Sequence, residues 1–157
     1  MYKIMIVDDD STSLAIARAL LEKEYHLTLV HSGMQALGFL KGDDLPDLIL
    51  LDMAMPGLNG MEVLKSLKES ALLKEIPVVI LTGEGDTKKE IESYRIGAAD
   101  FLQKPVNADM LRIKLRQQFE AIGLKRENQK LKAALGEIKD QVAQLFSELS
   151  EIEEQRI

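Results

Sequence analysis

Cysteine and tryptophan are missing from this 157-residue sequence, and aromatic residues make up only 4% of it. The missing thiols exclude disulfides, cysteine-ligated zinc, iron–sulfur clusters and thiol nucleophiles. No apolar run approaches the roughly 18 residues that a membrane-spanning helix needs, so no membrane partner is expected. Nor is there a surplus of positive charge: 20 Lys and Arg face 26 Asp and Glu, for a net charge of −6. That balance argues against direct nucleic-acid binding, which calls for basic residues gathered on one face. The chain runs straight into a strand-like segment with no visible signal or transit peptide, and cytoplasmic residence is the expectation. The acidic excess is uneven. Residues 1–106 carry 17 acids against 11 bases, whereas residues 107–157 carry nine of each, so any acidic site belongs to the first part.

What is present is a regular alternation. Short apolar segments at 3–7, 27–30, 47–51, 77–81 and 100–103 read as strands, and segments 11–24, 33–41, 60–69, 86–96 and 107–122 carry helical spacing. Leu48-Ile49-Leu50-Leu51 and Val78-Val79-Ile80-Leu81 are continuously apolar, as strands buried on both faces of a parallel sheet must be. Alternating β and α elements with short connections predict an α/β layered fold around a parallel sheet. Ser11 or Ser13 is a candidate cap for the first helix.

Beyond Ile122 the period changes. Leu124, Leu131, Ile138, Leu145 and Ile152 recur every seven residues, and Asn128, Leu135, Val142, Leu149 and Arg156 form a second series between them. This is an a/d heptad register, the pattern of a coiled coil, with Asn128 as a polar residue at one a position. The alternative is an amphipathic helix folded back onto the preceding domain. The division expected is therefore a globular domain at 1–122 and a coiled-coil helix at 123–157, which either forms a homodimer or links to a further output domain.

Asp8, Asp9 and Asp10 directly follow the first strand, and ligands of parallel α/β sheets sit outside the carboxyl ends of strands. Neighbouring carboxylates about 4 Å apart repel by roughly 4 kcal/mol at an effective dielectric near 20, so burying them calls for a cation. Hard oxygen donors favour magnesium. The triplet alone reads equally well as acids decorating a helix N-terminus. Asp52 breaks that tie: it ends the third strand, and it is too far from the 60–69 helix to cap it. Thr82 and Lys104 stand at the ends of the fourth and fifth strands, Lys104 followed by Pro105. A carboxylate is a competent nucleophile toward phosphorus, and a cation, an ammonium and a hydroxyl are the groups that neutralise a transferring phosphoryl.

At these positions the sequence resembles the receiver domain of two-component response regulators, over residues 1 to about 122. The matching elements are Val7-Asp8-Asp9, Asp52-x-x-Met55-Pro56-Gly57 with Gly60, Thr82-Gly83, and Gly97-Ala98-x-Asp100-Phe101-x-x-Lys104-Pro105. The resemblance implies a flavodoxin-like doubly wound sheet of five strands in the order 2-1-3-4-5; the general rule for that fold uses a receiver as its own example. It implies that Asp52 accepts phosphate from a sensor histidine kinase or phosphotransfer protein. Asp9, Asp52 and the backbone carbonyl of Ala54 would bind Mg2+, with Asp8 acting through water. Lys104 would contact the phosphoryl group, and Thr82 would hydrogen-bond it and draw Phe101 inward as the switch aromatic. Many relatives carry Tyr where Phe101 stands, so a switch hydroxyl is excluded here. The Lys104–Pro105 bond is expected to be cis, since the cis form costs only about 0.5–1 kcal/mol before proline. Such a protein is not an enzyme beyond the chemistry of its own phosphorylation and dephosphorylation.

The rival reading is a phosphatase of the haloacid dehalogenase kind, with Asp8 as nucleophile and Asp10 as acid/base in Asp8-x-Asp10-x-Thr12. It lacks an acid pair after Lys104 and a cap domain, and it leaves Asp52 without a role.

Overall fold

The computed structural model describes residues 1–156, in two compact units, Met1–Gln118 and Phe119 onward. In chain order the elements are β1 (Lys3–Val7), α1 (Ser11–Leu21), β2 (His26–Val30), α2 (Gly33–Phe39), β3 (Leu48–Asp52), α3 (Gly60–Glu69), β4 (Val78–Thr82), α4 (Thr87–Ile96), β5 (Asp100–Gln103) and α5 (Ala108–Gln155). All four strand pairings are parallel, and the sheet order is β2-β1-β3-β4-β5. The flavodoxin-like order that the resemblance implied is the one found.

The two continuously apolar strands, β3 and β4, are buried at every residue, because helices cover both faces of the sheet. Strand alternation then divides the core. Met5, Val7, Ile49, Leu51, Val78 and Ile80 belong to one cluster with Ala36 of α2 and Val63, Leu64 and Leu67 of α3. Their alternates, Ile4, Ile6, Leu48, Leu50, Val79 and Leu81, turn to the other face. Leu14 and Leu21 of α1 and Leu111 and Leu115 of α5 are buried apolar residues outside that cluster.

Three local details depart from the sequence reading. The α1 cap is neither Ser11 nor Ser13 but Asp10, whose extended backbone lets its carboxylate accept from the Thr12 amide at 3.1 Å. The third and fourth strands start and end one residue later than read, so Asp52 and Thr82 are each the last residue of a strand. The fifth strand stops at Gln103, which makes Lys104 the first residue beyond it rather than its end. The Lys104–Pro105 bond is cis, as expected.

Within the second unit α5 is helical without a break as far as Gln155. Every a and d apolar residue from Leu124 to Ile152 is exposed, Leu131 at 61% and Leu145 at 58%. The heptad stripe read from the sequence is thus an uncovered apolar face.

Candidate functional site

The site is assembled at the carboxyl end of the sheet by register. Val7 of β1 pairs with Leu51 of β3, and this brings the residues that follow them, Asp8 and Asp52, side by side. Asp52 pairs in turn with Leu81 of β4, which places Thr82 one residue beyond it. Gly60, the first residue of α3, lies against the backbone of Asp52. A Cβ added there would stand 2.4 Å from the Asp52 carbonyl oxygen, so only glycine allows α3 to start this close. Asn59 caps α3 by accepting from the Glu62 amide at 3.0 Å, which leaves Asp52 free of any capping task. The positive φ of Gly57, 70°, completes the turn between them.

Asp8 and Asp52 are buried, at 1% and 3% exposure, and Asp9 is exposed. One carboxylate oxygen from each of the three lies within 4.8 Å of the others. The Lys104 ammonium sits between the two buried acids, 3.0 Å from Asp8 Oδ2 and 3.3 Å from Asp52 Oδ2. The Asp10 amide donates to Asp8 Oδ1 at 2.9 Å, and the Ala54 amide to Asp52 Oδ1 at 3.2 Å. Burial, helped by the neighbouring Asp8 charge, pushes the Asp52 carboxyl above the usual carboxylate range, against the pull of the Ala54 amide and Lys104. Burial pulls Lys104 down, but its hydrogen bond to Asp8 and the charges of Asp52 and Asp8 outweigh this, and the ammonium is held above its ordinary value. One ammonium shared by two buried carboxylates leaves the site short of positive charge.

A family model described as the response regulator receiver domain matches residues 4–116. The chain belongs to the receiver domain family. It is therefore a phosphoacceptor of two-component signalling. Receiver domains exchange phosphate with histidine kinases or phosphotransfer proteins and bind Mg2+ through acidic residues, and the cluster of Asp8, Asp9 and Asp52 supplies the hard oxygen donors this requires. The two-component response regulator ORR7 of Oryza sativa subsp. japonica is 42% identical over 115 residues, covering 72% of this chain and 55% of that protein. The 3',5'-cyclic-nucleotide phosphodiesterase regA of Dictyostelium discoideum is 31% identical over 99% of this chain, which spans only 20% of regA. A solved receiver domain protein from Clostridium thermocellum is 32% identical with a TM-score of 0.73, covering 79% of this chain and 98% of that one. The chain thus spans from a fifth to about half of these curated relatives.

Neither the match nor the geometry supports the phosphatase reading. Asp10, its acid/base, is committed to the start of α1: it accepts from Thr12 and from the Ser13 hydroxyl, at 2.9 Å, and these bonds lower its pKa.

Of the other residues that the resemblance singled out, Thr82 is fully buried and its hydroxyl donates to Glu90 Oε1 on α4 at 3.0 Å. Phe101 is half-buried. Its ring meets Tyr94 edge-on, with centroids 5.9 Å apart, and the Lys114 ammonium lies 4.7 Å above it. Lys114 also donates to Asp100 Oδ1 and to the Phe101 carbonyl, and the Tyr94 hydroxyl donates to Asp100 at 3.2 Å. Burial and the Asp100 charge push the Tyr94 hydroxyl up to about 12. Sequence reasoning missed Glu90, Tyr94 and Lys114. An acid in the first turn of a helix and a lysine within an amphipathic one both read as solvated residues.

Proposed function

We propose that Asp52 is the phosphoacceptor and that a sensor histidine kinase or phosphotransfer protein is the donor. The single observation that carries this reading is the Lys104 ammonium poised between Asp52 and Asp8 at the carboxyl end of the sheet. An Asp52 oxygen attacks phosphorus, the bond from phosphorus to the donor imidazole nitrogen breaks, and an acyl phosphate forms on Asp52. Asp9, Asp52 and the Ala54 carbonyl would hold Mg2+, with Asp8 acting on it through water. When bound, the ion neutralises the equatorial oxygens of the transferring group. Lys104 then turns from Asp52 toward the phosphoryl oxygens while keeping its bond to Asp8. Thr82 donates its hydroxyl to the phosphoryl group, and Phe101 turns inward behind it. The chain performs no turnover chemistry beyond gaining and losing this phosphate.

Residues 1–122 are the receiver in this reading, and residues 123–157, of which Ile157 lies outside the described residues, are a dimerisation segment or a linker to an output module. The exposed a/d stripe favours a homodimer, with a second copy covering it. Parallel pairing sets Asn128 against its own mate and Glu127 at g against Lys132 at e of the partner copy. Function is carried by protein contacts in the cytoplasm, without direct binding to nucleic acid.

The test is phosphate incorporation from acetyl phosphate. The wild-type protein takes up acid-stable, base-labile label, and chelating divalent cations or substituting Asp52→Asn abolishes it. Labelling of Asp52→Asn at the wild-type rate would sink the assignment.

A further inference from the structure

The Thr82 hydroxyl is already engaged. Thr82 is 0% exposed and shares its strand face with Val78 and Ile80, the face that packs against α3. Its hydroxyl donates to Glu90, which is itself 8% exposed, in the first turn of α4. A hydroxyl has one proton to give, so it serves either Glu90 or a phosphoryl oxygen on Asp52, never both. We propose that Glu90 is a positioning residue that holds Thr82 in the resting state and competes with the phosphoryl group for its hydroxyl. The inference rests on Asp52 being the acceptor.

The competition links the phosphorylation state to α4. When Thr82 turns away, a buried carboxylate is left without its donor, and that is costly until it reaches water. The backbone beneath it is tied down. The Glu90 carbonyl accepts from the Ser93 hydroxyl at 2.7 Å, and its amide donates to the Asp86 carbonyl at 3.0 Å. Asp86 in turn holds the loop after β4 by accepting from the Gly83 amide at 3.1 Å. A Glu90 carboxylate that seeks water therefore loads a first turn of α4 that these bonds tie to the loop after β4. The buried Thr82–Glu90 hydrogen bond sets how strongly the helix resists.

Fluoroberyllate, which forms a phosphoryl-like adduct on aspartate, is the probe, used with magnesium on the full chain and followed by calorimetry. Glu90→Leu removes the competitor and is expected to bind about tenfold more tightly, the scale of one hydrogen bond to a charged group. Glu90→Gln, whose amide oxygen still accepts, stays near the wild type. In a Thr82→Val background the gain from Glu90→Leu disappears. Equal affinity of Glu90→Leu and wild type overturns the inference, and so does a gain that persists without the Thr82 hydroxyl, because it would then be a plain charge effect. A second measurement does not depend on Glu90→Leu folding: amide exchange in the first turn of α4 is expected to be about tenfold faster in Thr82→Val, without any adduct. Unchanged exchange there also overturns it. A wild type that forms no adduct overturns the Asp52 reading instead, and this inference falls with it.

Discussion

The carboxyl end of the sheet and the distal stretch of α5 break the usual rule of burial in opposite directions. Asp8 and Asp52 hold charge at 1% and 3% exposure, whereas Leu131 and Leu145 leave 61% and 58% of their surface in water. Both arrangements are costly, since buried charge needs partners and each leucine gains about 1.5–3 kcal/mol when fully covered. The remedies differ in kind. Charge is relieved by something small that fits between side chains, and Lys104 already does part of this from within the chain. An apolar stripe with a heptad period is relieved only by another helix of matching period. The two regions therefore point to two classes of partner, a cation with a phosphoryl group and a protein surface.

The sharpest way to break this comparison is to charge the stripe. Ile138→Lys at a d position is expected to weaken self-association by about 3–5 kcal/mol, the scale of an unpaired buried charge. Sedimentation velocity should then show a dimer for the wild type and a monomer for the variant. A wild type that is already monomeric at tens of micromolar, a rough range for weak association, would remove the need for a second copy.

The next effect concerns the acids. Magnesium at about 100 times its dissociation constant is expected to raise wild-type stability by about 2.7 kcal/mol, and Asp52→Asn should lose most of that gain. Without divalent cations the order reverses. The folded-state pKa of Asp52 lies above its ordinary 3.8, so ionisation costs stability as pH rises through the folded value. Asp52→Asn should then be more stable by about 1 kcal/mol at neutral pH, with the advantage fading as pH falls below the unfolded-state value. Urea titrations with and without magnesium check both signs.

Asn128→Val tests the seam itself. Replacing the polar a residue should raise the melting temperature by a few degrees, equivalent to about 1 kcal/mol, while sedimentation equilibrium shows mixed oligomers. The smallest change is expected for Lys114→Met, which removes the cation above Phe101 and the ion pair with Asp100. The loss should be about 0.5–1 kcal/mol in chemical denaturation.

The sheet order became legible only through the receiver resemblance, but the elements themselves were legible from period alone. Continuously apolar strands and amphipathic helices leave few other ways to bury Leu48–Leu51 and Val78–Leu81. The gathering of Asp8, Asp9, Asp52 and Lys104 was legible for the same reason, since neighbouring parallel strands in register end together. Glu90 was not. Its bond to Thr82 crosses a loop and depends on how far α4 rotates about its axis, which no local pattern records. The α1 cap was misread because Asp10 was weighed as one of an acidic triplet and as a phosphatase acid/base, while the search for a cap turned to the serines that follow it. A carboxylate can serve a helix terminus beside a metal site, and the backbone angle at Asp10 decides which it does.

Lys104 also alters what it means for this site to be without its ion. An ordinary counter-ion is diluted away when salt is lowered, but this one is covalently tethered and keeps a fixed effective concentration beside Asp8 and Asp52. The acids are therefore partly neutralised from within the chain before any ion arrives. A dication entering here shares the acids with a cation that cannot leave, so its apparent affinity measures what it adds to a site that Lys104 has already partly neutralised. Removing the tethered ammonium altogether, as in Lys104→Ala, should make the acids bind cations more indiscriminately, since even monovalent ions would then find its place free.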